Sequence, residues 1–350
     1  MIVFDNIIFR WQRSGGISVV WYELLKRILQ KTSDYKIVEY KDSRDTNYLR
    51  AHLQIPEDKI TVLSDRFFCI KRYLKYNVNI QQKPFIHHSS YYRTCNNKNA
   101  INVITIHDFT YDYFGKGLSK LIHCHTKYNA IKNADYIICV SENTKRDLLK
   151  FVHGIQDKNI RVIYNGVSDD YYYKSIKTKK YLLFVGSRAY YKNFKLAVEV
   201  AKQAKMQLII CGSKLTKQEK EYLEKKIPDK YCEKGFVNNE ELNILYNEAF
   251  CLLYLSNYEG FGIPAIEAQK AGCPVLALRC SSIPEVIGYK ELLVDSLNTE
   301  NIIEKIKLLE DSTFRERIIS EGLEFSKQFS WDKTFDKYYQ LYQEIAHKKC

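Results

Sequence analysis

Short apolar runs rich in β-branched residues alternate with longer amphipathic segments along the whole chain. This alternation constrains the fold most, because parallel strands cannot be joined by a tight turn and need a crossover, usually a helix. Strands are predicted at 101–106, 136–140, 161–163, 181–185, 207–211, 251–255 and 274–277, after a strand-like start at Met1-Ile-Val-Phe. A helix is predicted after Gly15-Gly16, where Val20, Trp21, Leu24, Leu25 and Ile28 share one face. A second runs from Asn193 to Gln203 on a stripe of Phe194, Val198 and Ala201, and a third starts after the N-cap residue Ser141.

The 350 residues are long for one hydrophobic core and comfortable for two. The stretch 167–180 is rich in Tyr, Lys and Ser and has no periodic apolar face, so the interdomain linker is placed there. The expected division is one domain over 1–168, a second over 178–329, and a closing segment over 330–350. No fixed-period repeat is visible.

The formal charge of +13 favours phosphorylated ligands, polyanions or an anionic membrane surface over basic partners, and the excess is larger in the first half. The positive residues are dispersed and no nucleic-acid motif is present, which argues against a nucleic-acid partner. None of the ten cysteines has C-x-x-C spacing, and several stand inside apolar runs, as Cys139, Cys211 and Cys251 do. With no signal-like start, a reducing cytoplasm is expected. No apolar stretch approaches the ~20 residues that span a bilayer.

The chemistry concentrates in Asn257-Tyr-Glu259-Gly-Phe-Gly-Ile-Pro264-Ala-Ile-Glu267-Ala, directly after the strand at 251–255. Gly260 and Gly262 permit close backbone approach or positive φ, and Pro264 suits the first turn of a helix. A strand end, a glycine loop and a helix N-terminus together make an anion site. Glu259 and Glu267 can accept hydrogen bonds from sugar or ribose hydroxyls; equally, Glu267 can serve the helix dipole and Glu259 can be merely solvated.

This segment resembles the paired-glutamate motif of the retaining glycosyltransferases of family 4, which have the GT-B fold. Ala271-Gly-Cys-Pro-Val-Leu-Ala and Ser282-Ile-Pro-Glu285-Val-Ile-Gly288 resemble the segments that follow it, with Ser281-Ser282 where the family often has Gly-Gly. Ser14-Gly15-Gly16-Ile17 resembles the family's glycine loop near the donor diphosphate. Ile106-His107-Asp108-Phe109 resembles its His-Asp element, which would place His107 by the donor sugar and Asp108 on the acceptor side. Segments 134–145 and 162–167 resemble the strand–turn–helix and the linker entry that come next. Phe184-Val-Gly186-Ser-Arg188-Ala-Tyr-Tyr-Lys192-Asn193 resembles the Arg…Lys pair that grips the diphosphate, with Ser187 inserted. The tail from Phe329-Ser-Trp331 resembles the terminal helix that crosses back to the N-domain.

The resemblance implies an α/β, GT-B architecture: two Rossmann-like doubly wound domains facing a cleft. It implies a retaining transferase that moves a sugar from a nucleotide donor to a glycan or lipid-linked acceptor in cell-surface polysaccharide assembly, with GDP-mannose first and a UDP-sugar second. Glu259, His107, Arg188 and Lys192 would be catalytic. Gly15, Gly16, Gly186, Phe236, Val237, Gly260, Phe261, Gly262, Ile263 and Glu267 would bind the donor, with base choice near Phe236 and Val237. No Asp-x-Asp metal anchor is present and the leaving diphosphate can be met by fixed cations, so no metal or other cofactor is expected. Another GT-B enzyme such as an epimerase, or a non-catalytic transferase-like partner, are the alternatives.

Three further features stay open. His123-Cys-His125 sets its histidines on different sides of a helix and reads as surface. His87-His88-Ser-Ser-Tyr91-Tyr92-Arg93 is either an acceptor-side loop, through Tyr91 and Arg93, or an ordinary structural one. Segment 66–76 mixes bases with aromatics and is either an interfacial segment for a peripheral enzyme on the inner membrane's cytoplasmic face or a solvated helix.

Overall fold

The structure, a computed structural model, describes residues 1–64, 66, 68–72, 74–76, 78, 80, 84–155 and 159–348. The chain forms two compact units, residues 1–166 with 331–350, and residues 167–330.

Among the described residues the first unit holds seven parallel strands: β1 (Ile2–Asp5), β2 (Tyr35–Tyr40), β3 (Ile60–Leu63), β4 (Phe85–Ser89), β5 (Ala100–Ile106), β6 (Tyr136–Cys139) and β7 (Asn159–Val162), in the order β3-β2-β1-β4-β5-β6-β7. The central strands are buried along their length, which is why they read as near-continuous apolar runs. Helix α1 (Gly16–Lys31) buries the face formed by Val20, Trp21, Leu24, Leu25 and Ile28. Helices α2 (Thr110–Phe114) and α3 (Gly117–Asn133) follow β5, and α4 (Glu142–Phe151) follows β6. Ser141 caps α4 by accepting from the Thr144 N–H at 2.9 Å.

The C-terminal helix Trp331–Lys348 completes this unit's core, laying Phe335, Tyr338, Leu341, Tyr342 and Ile345 against Phe4, Trp21 and Leu25. Two of its tyrosines satisfy buried polar groups of the sheet. The Tyr342 hydroxyl lies 2.6 Å from His88 Nδ1, and Tyr338 lies 3.2 Å from Thr105 Oγ1.

The second unit holds β8 (Tyr181–Val185), β9 (Gln207–Cys211), β10 (Tyr231–Gly235), β11 (Cys251–Tyr254), β12 (Val275–Leu278) and β13 (Leu293–Val294), all parallel, in the order β10-β9-β8-β11-β12-β13. That is the doubly wound order of dinucleotide-binding sheets, with its direction reversing between β8 and β11. Helices α5 (Phe194–Ala204), α6 (Lys217–Lys226), α7 (Asn239–Glu248) and α8 (Ile263–Lys270) connect these strands.

The stretch 167–180 is not a free linker. Tyr171 is buried, the Tyr172 N–H donates to Asn243 Oδ1 (3.1 Å) and the Lys174 N–H to Asn247 Oδ1 (2.6 Å). Two buried asparagines one turn apart on α7 satisfy its backbone, so it packs without any apolar period.

Candidate functional site

The loops leaving β8 and β11 flank the reversal point of the second sheet, where open α/β sheets bind ligands. The first carries Gly186 to Asn193, the second Asn257 to Gly262. Asn193 ties them together, its side-chain amide donating to Leu255 O (2.7 Å) and lying 3.1 Å from Asn257 Oδ1.

The Glu259 loop is held from behind by two hydroxyls. Ser281 Oγ accepts the Glu259 N–H at 2.9 Å, and Ser282 Oγ lies 2.9 Å from Glu259 O and 2.7 Å from Phe261 O. Ser281 sits at φ 48°, in the left-handed region glycine favours. The Ser-Ser departure from the family's Gly-Gly therefore exchanges backbone ease for hydroxyl contacts to the loop.

Gly262 has φ 112°, and a Cβ there would meet Val286 Cγ2 at 3.2 Å, so this position needs glycine. Pro264 opens α8, whose N-terminus has no side-chain cap among the described residues. Its backbone dipole is available to an anion. Phe261 is buried, Gly260 and Ile263 are half-buried, and at the end of β10 Phe236 is 82% exposed beside half-buried Val237.

Lys192 Nζ pairs with Glu259 Oε1, and the ammonium lies 5.4 Å from the Tyr254 ring centre and 5.5 Å from that of Tyr191. Both partners are largely buried, with side chains 15% and 12% exposed. Arg188 is placed differently from the expected diphosphate grip. Its Nε donates to Glu219 Oε1 (2.7 Å), Nη1 to Ser213 O (2.9 Å) and Nη2 to Lys214 O (2.7 Å). The guanidinium is spent on the loop after β9 and on the acid that also completes the α6 capping box with Thr216. Lys192 is the cation that stands at the paired-glutamate loop.

Glu267 is half-buried on α8, and its Oε2 accepts from the buried Tyr246 hydroxyl at 3.1 Å. Burial pushes its carboxyl up to about 7, against the opposing hydrogen bonds of Tyr246 and Tyr171. Between about pH 4.5 and 7 the folded protein thus holds a proton that the unfolded chain has released. Stability from this group is full below that window and falls as pH rises through it. Glu267→Gln is expected to flatten the fall in thermal melts taken from about pH 5 to about pH 8; parallel curves for the two proteins would contradict the assignment.

The first unit presents its own loops at strand ends. Gly15 ends the segment that leaves β1 through the short helix Ile7–Trp11, its carbonyl accepting from the Ser18 hydroxyl (2.8 Å), and Gly16 opens α1. His107 follows β5 and is half-buried; burial lowers its pKa to about 4 against the opposing charge of Asp108, so the ring is neutral near pH 7. Asp108 Oδ1 accepts the Thr110 N–H at 2.8 Å.

The His87–Arg93 segment is mostly buried. His87 and His88 are buried within β4, and Arg93 is buried with Nε on Asp5 Oδ2 (2.7 Å) and Nη1 on the Tyr40 hydroxyl (2.7 Å). Tyr91 is half-buried, with its ring 4.4 Å from that of Trp11 and its hydroxyl 2.9 Å from His123 Nε2. In segment 66–76, Phe67 and Tyr73 lie outside the described residues. Phe68 packs on Tyr40, Arg72 stacks on Trp11, and the Tyr76 hydroxyl lies 2.7 Å from His87 Nε2, so these turn inward.

Residues 14–171 match the family model described as Glycosyltransferase Family 4, and residues 172–325 match the one described as Glycosyl transferases group 1. The chain is 29% identical over 225 residues to an uncharacterized glycosyltransferase of Methanocaldococcus jannaschii, the match covering 62% of each. It is 27% identical over 221 residues to the O-antigen chain mannosyltransferase RfbU of Salmonella typhimurium, covering 61% of this chain and 62% of the relative. It is 40% identical over 99 residues to O-antigen chain mannosyltransferase B of Escherichia coli, covering 28% and 26%. The chain thus spans less than two thirds of the length of each of these relatives. Among solved structures it is similar to a sucrose-phosphate synthase from Thermosynechococcus elongatus (TM-score 0.74, 15% identity, 99% of both chains). It is also similar to Anabaena HepE in complex with UDP and glucose (TM-score 0.71, 15% identity, 97% and 98%). At such identity the likeness speaks to the fold.

Proposed function

We propose, because this chain belongs to glycosyltransferase family 4 and has its two Rossmann-like α/β units, that it moves a sugar from a nucleotide donor to a glycan or lipid-linked oligosaccharide with retention at the anomeric carbon. The observation that carries the reading is the Lys192–Glu259 pair at the reversal point of the second sheet, beside the uncapped N-terminus of α8. The donor's diphosphate already carries two negative charges, and a third develops on the departing phosphate oxygen as the anomeric bond breaks. Groups that meet charge developing in the transition state lower the barrier more than groups that bind substrate and transition state alike.

In the proposed step the bond from the anomeric carbon to the diphosphate oxygen breaks, and the acceptor oxygen bonds to the same face of that carbon. The acceptor's proton passes to the departing phosphate oxygen. Lys192 and the α8 amides hold the diphosphate, Glu259 holds the sugar, and Glu267 takes the ribose hydroxyls. Arg188 acts through Glu219 and the loop after β9, as a positioning residue. His107, neutral at working pH, is the first unit's candidate for the donor sugar.

GDP-mannose is the first donor to test, supported by the mannosyltransferase names of relatives, with UDP-sugars second. Cell-surface polysaccharide assembly is the setting, on the same support. A thermal-shift screen with GDP, UDP and their sugars, followed by product analysis with labelled donor, tests the reading. A labelled sugar released as a rearranged monosaccharide with no acceptor product would point to an epimerase instead. Lys192 and the α8 amides, meeting the diphosphate's charge, also lead us to expect full activity in excess EDTA; strict Mn²⁺ dependence would overturn that expectation.

A further inference from the structure

Two buried phenols converge on one carboxyl in the second unit. Tyr246, on α7, has no exposure, and its hydroxyl donates to Glu267 Oε2 of α8 at 3.1 Å. Tyr171 is 3% exposed and sets its ring edge-on to that of Tyr246, with centres 5.9 Å apart. Its hydroxyl also hydrogen-bonds Glu267. Phenylalanine would fill nearly the same volume at both positions. A buried hydroxyl costs free energy unless it is bonded, so what these tyrosines add is their bonds.

The carboxyl they hold has acceptor capacity left over. An ionised carboxylate offers about four lone-pair sites, and the phenols use two. Glu267 keeps partial exposure and stands four residues after Ile263, about 6 Å along the axis from the start of α8. That start is where the diphosphate is assigned. A vicinal diol one turn further on can donate two hydrogen bonds to the remaining lone pairs.

Tyr171 has a second partner. Its hydroxyl donates to Asn239 Oδ1 at 3.1 Å, and Asn239 Nδ2 donates to Asp170 Oδ2 at 2.8 Å. A carboxylate accepts and does not donate, which fixes the orientation of the amide. A hydroxyl has one proton to give. While Glu267 is protonated, Tyr171 can accept from it and still donate to Asn239. Once Glu267 ionises, Tyr171 donates to Glu267 and releases Asn239. The segment carrying Tyr171 is clasped by both helices. Lys270 Nζ of α8 donates to Ser168 O at 3.1 Å, and Asn243 and Asn247 of α7 hold the backbone of Tyr172 and Lys174.

We propose that Tyr246 and Tyr171 are positioning residues for the donor, aiming Glu267 at the ribose 2′- and 3′-hydroxyls, so that segment 168–171 belongs to the donor site. The ligand, a nucleoside diphosphate, rests on the transferase reading above. The other titratable groups near Glu267 are Cys273 and Asp170 beside the phenols, Tyr254 and Glu259 toward the glycine loop, and Lys270, which pairs with Asp169. Each phenol bond favours the ionised carboxylate, so losing one raises the pH at which Glu267 gives up its proton. Ribose hydroxyls donate to the ionised form, so affinity should rise with pH through that point.

The test is calorimetry of the full chain with GDP, UDP and the 2′,3′-dideoxy form of each, on the wild type, Tyr246→Phe and Tyr171→Phe. Titrations from about pH 6 to about pH 8.5 bracket the Glu267 value of about 7. The wild type is expected to favour the ribonucleotide by about ten-fold or more, as hydrogen bonds to a charged group do. Each phenylalanine variant should cut that preference by roughly five-fold and move the rise in affinity to higher pH. Tyr289→Phe is the control. Its buried hydroxyl accepts the Val275 N–H at 2.6 Å, so its loss should lower the melting temperature and leave the ribose preference intact. Undiminished preference with an unmoved pH profile in both variants overturns the proposal and leaves the transferase reading standing. Equal wild-type affinity for ribo- and dideoxynucleotides does the same, as does an equal loss of preference in the control. Tyr171→Phe carries the test by itself if Tyr246→Phe does not fold. No binding of any nucleotide by the wild type sinks both readings together.

Discussion

Glu259→Ala is expected to abolish sugar transfer while leaving nucleotide diphosphate affinity equal or higher. In the free protein Glu259 occupies Lys192, the cation assigned to the diphosphate. Removing the carboxylate frees that ammonium, so GDP or UDP should bind at least as well. The step itself loses a group preorganised against the transferring sugar, which in comparable sites costs about a hundred- to a thousand-fold in rate. The second unit should stay folded, since the loop is also pinned through backbone atoms by Ser281 and Ser282. Calorimetry with the nucleotide and single-turnover transfer with labelled donor read the two quantities separately. Near-normal turnover would refute the assignment. Parallel losses in affinity and turnover would make Glu259 a ground-state binding group instead. Lys192→Ala should behave oppositely, with nucleotide affinity falling first.

The second large effect is on stability. Arg93→Met is expected to cost the first unit about 3–5 kcal/mol, because it strands the Asp5 carboxylate in a site with no exposure at all. The guanidinium meets Asp5 and the Tyr40 hydroxyl together and lies 4.1 Å from the Tyr76 ring centre. Arg93→Lys should rescue little, since an ammonium cannot reproduce the planar fork. Adding Asp5→Asn to Arg93→Met should cost less than the two single losses summed, because the pair acts as one unit. Urea unfolding of the wild type, the three single variants and the double variant measures this. An unchanged midpoint in Arg93→Met combined with weakened transfer would return Arg93 to the acceptor side.

Arg93 also shows where sequence reading loses its grip. Beside histidines and tyrosines it looks like a polar loop, yet its partner Asp5 lies 88 positions away, and only the β1–β4 pairing brings them together. Arg188 makes the same point: the motif supplies the cation, and its partners Glu219 and the 213–214 carbonyls come from a later stretch of chain. What was legible followed from burial. β5, β6, β8, β9 and β11 have near-continuous apolar runs because both faces are covered. The edge strands β3 and β10, half-open to solvent and carrying Thr61 or Glu233 and Lys234, lack that signature and were not predicted. The Glu259 loop was readable because its glycines, proline and glutamates lie within a dozen positions, whereas Ser281 and Ser282 reach it from a different strand end.

Ser281 carries an implication for engineering. A side chain held at φ 48° costs about 1–2 kcal/mol relative to relaxed backbone, and Ser281→Gly would recover much of that. The same change would delete the oxygen that receives the Glu259 amide. Selection for heat resistance should therefore favour glycine at 281 and deliver a tougher but slower protein, whereas selection for turnover should keep the hydroxyl.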